Sequence, residues 1–204
     1  MKIICIGRNY ANHAKELNNK IPEEPVFFLK PETALLPKRN PFVYPSFSND
    51  VHYESEIVVR INRLGKHIHE QFAHKYYNEI GIGIDFTARD VQSELKKKGL
   101  PWEKAKAFDG SAPVGHKFIP VNQFDDVQNI NFSLKVNGET RQKGNTKDML
   151  FGINQIIAYV SQFITLKIGD LIFTGTPEGV GPVKIDDTLE CFIEEEPMLK
   201  FKVK

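Results

Sequence analysis

The apolar residues of this chain come in short runs, and glycine or proline stops nearly every one. Residues 2–6 end at Gly7, and residues 25–31 (PVFFLKP) are fenced by proline on both sides. Residues 53–61 alternate towards their end and are rich in Ile and Val, residues 80–86 read IGIGIDF, and residues 171–174 run into TGTPEGVG. Runs this short, with this share of β-branched residues, are strand-length. Phe132, Leu134 and Val136 alternate with polar residues and lead into Asn137-Gly138, the strongest short hairpin signal in the chain. Helical spacing is confined to three places. Residues 11–17 allow a turn or two. Thr87 opens a helix with a capping-box-like Thr-Ala-Arg-Asp; it runs through Val91 and Leu95 to Lys96, Lys97 and Lys98 and stops at Gly99. Those lysines suit a helix C-terminus electrostatically. Ile153, Ile156, Ile157, Val160, Phe163 and Ile164 mark the third helix. No repeat or linker divides the 204 residues, so the expectation is one α+β, β-rich domain over residues 1–204 with a few short helices.

Composition narrows the function. Hydrophobic residues make up 41% and charged residues 26%, as in an ordinary soluble globular protein. With 27 basic and 26 acidic residues the formal charge is +1. No basic excess is available for nucleic acid or a membrane surface, and neither is expected as a partner. An anion would have to be recognised by a few placed cations. Cys5 and Cys191 lie far apart beside apolar residues, which fits neither a zinc motif nor a disulfide framework. Two buried, reduced thiols are expected. The N-terminal run is too short for a signal peptide and no stretch could span a bilayer, so a cytoplasmic protein is the default expectation.

The chemistry concentrates in three carboxylates. Glu54 and Glu56 are two apart in an expected strand, so both would project from one face. Like charges held that close repel unless a cation or proton sits between them, although a solvated strand face would carry the same pattern. Asp85 adds a third carboxylate at a strand-to-helix junction, where small-molecule sites commonly lie. Three carboxylates without Cys or a spaced His pair suit a hard cation bound through oxygen, such as Mg²⁺. His52 and His116 read as ordinary polar residues.

Several motifs surround these residues in order: Gly7-Arg8-Asn9-Tyr10, Phe28-Leu29-Lys30-Pro31, Tyr53-Glu54-Ser55-Glu56, residues 85–92 (DFTARDVQ), residues 98–102 (KGLPW), Thr174-Gly175-Thr176-Pro177 and Gly179-Val180-Gly181-Pro182. Together they run nearly end to end. In them the chain resembles the fumarylacetoacetate hydrolase family, and in particular its short branch of acylpyruvate hydrolases and oxaloacetate decarboxylases. The resemblance implies a mixed β-roll of the fumarylacetoacetase C-terminal-domain type, a homodimer, and Mg²⁺ or Mn²⁺ on Glu54, Glu56 and Asp85. It also gives meaning to His13 and Glu16. Three apart in a helical turn, they share a face and would otherwise read as surface neighbours. In hydrolytic members such a pair sits on a mobile lid, here residues 8–20, and activates a water.

Further expectations follow from the same resemblance. Arg8, Lys30 and Lys106 lie in matching segments and are the candidate cations for an anionic substrate; Gln92 and Thr176 would add neutral hydrogen bonds. The substrate would be a small 2-oxo acid. For an acylpyruvate, His13, oriented by Glu16, would take a proton from the attacking water, with Lys106 stabilising the oxyanion and pyruvate and a carboxylic acid as products. Oxaloacetate decarboxylation would need no attacking water. Two alternatives stand beside this reading. One is an isomerase or decarboxylase of 2-hydroxyhepta-2,4-diene-1,7-dioate, which needs no water-activating pair. The other is a non-catalytic module whose carboxylates hold a structural ion.

Overall fold

The structure, a computed structural model, describes residues 1–17 and 19–204; within the expected lid segment, Asn18 lies outside the described residues. The strands are β1 (Ile3–Gly7), β2 (Val26–Lys30), β3 (Val51–Tyr53), β4 (Ser55–Ile61), β5 (Tyr77–Ile84), β6 (Thr87–Ala88) and β7 (Ile119–Pro120). They continue with β8 (Asn131–Val136), β9 (Glu139–Asn145), β10 (Leu171–Phe173), β11 (Gly181–Pro182), β12 (Thr188–Ile193) and β13 (Glu196–Lys202). The α-helices are α1 (Ala11–Glu16), α2 (Glu70–Ala73), α3 (Arg89–Lys97), α4 (Glu103–Lys106) and α5 (Ile153–Phe163). The expected β-rich architecture with a few short helices is what the chain adopts.

Among the described residues three open sheets are formed, in strand orders β2-β1-β10-β4-β5-β7, β11-β3-β6 and β13-β12-β8-β9. β1 and β10 are parallel and the other pairs antiparallel, so the largest sheet is mixed. Its central strands are covered on both faces, and Ile57, Val58, Val59, Ile80, Ile82 and Ile84 are fully buried. That explains why residues 53–61 and 80–86 read as near-continuous apolar runs. β8 and β9 are joined by Asn137-Gly138 with φ of 52° and 83°. Two left-handed residues are what a two-residue hairpin of this twist requires. α5 buries Ile153, Ile156, Ile157 and Val160 as their spacing foretold, but Phe163 of the same set is exposed and Ile164 lies just past the helix end.

Two local expectations are corrected. The strand expected over residues 53–61 is broken at Glu54: β3 belongs to the small sheet with β6 and β11, and β4 to the largest one. Glu54 and Glu56 therefore do not share one uninterrupted strand face. The helix expected from Thr87 starts at Arg89, and no capping box forms. Thr87 and Ala88 instead pair with His52 and Val51. The Thr87 hydroxyl donates to Glu54 Oε1 at 3.0 Å, while the Asp90 carboxylate accepts from Ser48 Oγ and from the backbone N–H of Asn49 and Val91.

Candidate active site

Register brings the carboxylates together. Ser55 pairs with Ile84 across β4 and β5, so Glu54 and Asp85, each one residue beyond, face each other, and the Asp85 N–H donates to Glu54 O at 2.8 Å. Glu56 sits opposite Gly83 on the same pair of strands. One carboxylate oxygen from each of Glu54, Glu56 and Asp85 lies within 4.8 Å of the other two, and all three residues are buried. The Ser55 N–H donates to Gln142 Oε1, and Gln142 Nε2 donates to Thr176 Oγ1 and Pro177 O. One buried amide thus ties the break at Glu54 to the glycine-rich loop. In that loop Gly175 has φ 103° and its N–H donates to Glu56 Oε2 at 2.7 Å. A Cβ there would stand 2.7 Å from Asn9 Cβ, so the approach that delivers this hydrogen bond requires glycine.

Cations surround the carboxylates. Lys106 Nζ donates to Glu54 Oε2 at 2.9 Å and to Asp85 Oδ2 at 2.7 Å. Arg89 Nη2 donates to Glu54 Oε1 at 2.5 Å and Nη1 to Gln92 Oε1 at 2.8 Å. Lys30 Nζ lies 2.6 Å from Asp85 Oδ1 and donates to Ser111 O, Ser111 Oγ and Phe86 O. Burial on its own would raise the Glu54 carboxyl, yet Lys106, Arg89 and His13 together hold it well below the usual carboxylate range. Glu56 goes the other way. Burial first, then the charges of Asp85 and Glu54, push it well above that range, against the Gly175 N–H and Lys106. Burial alone would lower the Lys106 ammonium, but Asp85 and Glu54 raise it and keep it charged. A dication among these oxygens would relieve the repulsion that burdens Glu56, and an all-carboxylate donor set suits a hard cation. The residues present fit Mg²⁺ or Mn²⁺.

Arg8, His13, Glu54, Glu56, Asp85, Gln92, Lys106 and Thr176 line one cavity. Glu16 stands behind His13, with Oε2 3.3 Å from His13 Nδ1 and Oε1 accepting from the Gly179 N–H at 3.1 Å. Lys30 is the exception among the residues expected to bind substrate. It is fully buried behind Asp85 and does not line the cavity, so it positions Asp85 and cannot meet a substrate there. Arg89, Lys96, Phe28 and Trp102 line the cavity without having been anticipated. Arg89 was within reach of sequence reasoning, since it stands four residues after Asp85 and three before Gln92 in the DFTARDVQ segment. Phe28 and Trp102 also lie in the FLKP and KGLPW motifs, but the folded chain is what brings them together, edge to face at 6.0 Å.

Mixed open sheets, a buried carboxylate trio and a histidine–glutamate pair over one cavity define a class. Residues 2–204 match the fumarylacetoacetate (FAA) hydrolase C-terminal family, and the chain belongs to it. It is 48% identical over 202 residues to the oxaloacetate tautomerase FAHD1, mitochondrial, of Mus musculus, covering 99% of this chain and 91% of the relative. It is 50% identical over 189 residues to the oxaloacetate tautomerase YcgM of Escherichia coli (strain K12), covering 92% and 86%. The crystal structure of fumarylpyruvate hydrolase from Pseudomonas aeruginosa in complex with Mn²⁺ and pyruvate matches with a TM-score of 0.93 at 36% identity, covering 100% and 89%. The relatives are thus enzymes of small 2-oxo acids.

Proposed function

We propose that this chain interconverts the keto and enol forms of oxaloacetate with Glu54, Glu56 and Asp85 holding Mg²⁺ or Mn²⁺. The observation that carries it is the meeting of the His13–Glu16 pair, Lys106 and the buried trio at one cavity. When bound, the cation would polarise the 2-oxo group. Gln92 and Thr176 offer hydrogen bonds to the adjacent carboxylate. His13 engages Glu16 through Nδ1, which leaves Nε2 to take a proton from C3 of the keto form. Lys106, kept charged by Asp85 and Glu54, delivers a proton to the 2-oxo oxygen as the C2–C3 double bond forms. The reverse reaction retraces these transfers.

The same pair could instead take a proton from water, and this supports a second reading: hydrolysis of acylpyruvates to pyruvate and a carboxylic acid, with oxaloacetate decarboxylation beside it. The tautomerase reading ranks first because the two relatives so named are more similar in sequence than the hydrolase. A purely structural ion would need neither His13 nor the cations. The family resemblance supports a homodimer, and sedimentation measures it.

The test follows enol oxaloacetate by its ultraviolet absorbance, alongside pyruvate release from acetylpyruvate, with Mg²⁺ and with EDTA. Loss of the enol well above the buffer rate, abolished by EDTA, is expected. A rate equal to buffer would sink the tautomerase reading, and full activity after complete cation removal would sink the metal's role.

A further inference from the structure

The cavity has a floor and a mouth of different character. At the floor three cations pair with two of the three carboxylates, Arg89 and Lys106 with Glu54, and Lys30 and Lys106 with Asp85, while Glu56 accepts from the Gly175 N–H. Arg8 and Lys96 line the same cavity, and among the described residues neither has a carboxylate within salt-bridge distance. Arg8 follows Gly7 with φ 59°, a left-handed backbone uncommon for a residue with a side chain. Lys96 stands in the last turn of α3, open to solvent along the helix, with Nζ 5.5 Å from the centroid of the Trp102 ring, which braces it. Its neighbour Lys97 pairs with Glu94, so the electrostatic service to the helix terminus does not require Lys96. The Lys96 ammonium is pushed below its ordinary pKa by desolvation first, then by Arg89 and Arg8. Cations crowded at one opening, without a carboxylate in direct contact among the described residues, suit an anionic ligand group.

We propose that Arg8 and Lys96 receive the carboxylate remote from the 2-oxo acid end of the substrate, and that they make the site prefer dianionic over monoanionic 2-oxo acids. This deepens the reading above and rests on it for the placement of the 2-oxo end at the carboxylate trio. The floor would accept the 2-oxo acid end of any acyl chain, and the mouth would select by charge.

The test compares oxaloacetate with its 4-methyl ester, in which the remote carboxylate is capped, by calorimetry and by turnover in Mg²⁺. The wild-type protein is expected to bind oxaloacetate about tenfold or more tightly than the ester, the scale of one charge-assisted contact. Lys96→Met should erase most of that preference through weaker oxaloacetate binding, Arg8→Gln should act in the same sense, and Lys96→Arg should restore it. Equal wild-type affinity for the two ligands, or an equal loss for both in Lys96→Met, overturns the proposal. Selective binding without turnover would remove the reaction and leave the subsite. Turnover of both ligands with equal affinity would remove the subsite and leave the reaction, and binding of neither overturns both.

Discussion

Gly175 shows how much a single backbone position contributes here. Its φ of 103° and the 2.7 Å approach to Asn9 leave no room for a side chain, and the same geometry aims its N–H at Glu56. Gly175→Ala is expected to cost about 1–3 kcal/mol of stability, measured by urea unfolding, and to weaken Mg²⁺ binding in calorimetry. A variant as stable as wild type would mean the loop yields freely. His13→Ala separates chemistry from binding. It should lower turnover by roughly 10²–10⁴, the range for a positioned general base, while Mg²⁺ affinity stays close to wild type. Equal turnover in the two proteins would remove His13 from the reaction.

Among the elements, α1 is the one the family resemblance proposes as a lid. It is six residues long, and its polar links to the glycine-rich loop are Glu16 to the Gly179 N–H and Asn12 Nδ2 to Glu178 at 3.2 Å. Helices this short hold only through packing. Amides of α1 should exchange with solvent far faster than those of β4 and β5, and slow when Mg²⁺ and oxalate are added. Protection equal to the central strands would argue against a lid. At the start of β5, Tyr77 donates to Asn154 Oδ1 of α5, and burial, then Asp126, raise its pKa to about 12. An unfolded tyrosine titrates near its ordinary ~10. The folded chain therefore retains this proton longer, so the contribution is whole below pH ~10 and is lost as pH rises towards ~12. Tyr77→Phe should flatten that alkaline limb by about one proton in urea unfolding across pH, and an unchanged slope would contradict it. Much at this scale was legible in the sequence, because period and turn chemistry are local: Asn137-Gly138, the α5 spacing up to Val160 and the Gly99 stop stand as read. What was not legible depends on partners far along the chain. The break at Glu54 is set by which sheet each side joins, and the late start of α3 by the pairing of Thr87 with His52. Lys30 and Lys96 show the same limit, since burial of one and the cavity position of the other come from the tertiary fold.

For the molecule as a whole, the expected thiol state can be checked directly. Cys5 and Cys191 are fully buried, and burial is the first cause pushing both above the ordinary thiol pKa. Neither should react with an aromatic disulfide reagent in the native protein, and both should react in guanidinium. Rapid native labelling of either would show that a sheet opens readily. Among the described residues no helix is long and apolar enough to cross a membrane.

The register of β4 and β5 also bears on the order of assembly. Their pairing gathers Glu54, Glu56 and Asp85 within one sheet, whichever sheet β3 joins. The Thr87 hydroxyl and the Gly175 N–H reach Glu54 and Glu56 from outside that pair of strands. A chain halted with β4 and β5 paired would already present three carboxylates to a cation before the glycine-rich loop closed over them. Ion capture during refolding would then time the joining of those two strands, independently of when the outer sheets appear.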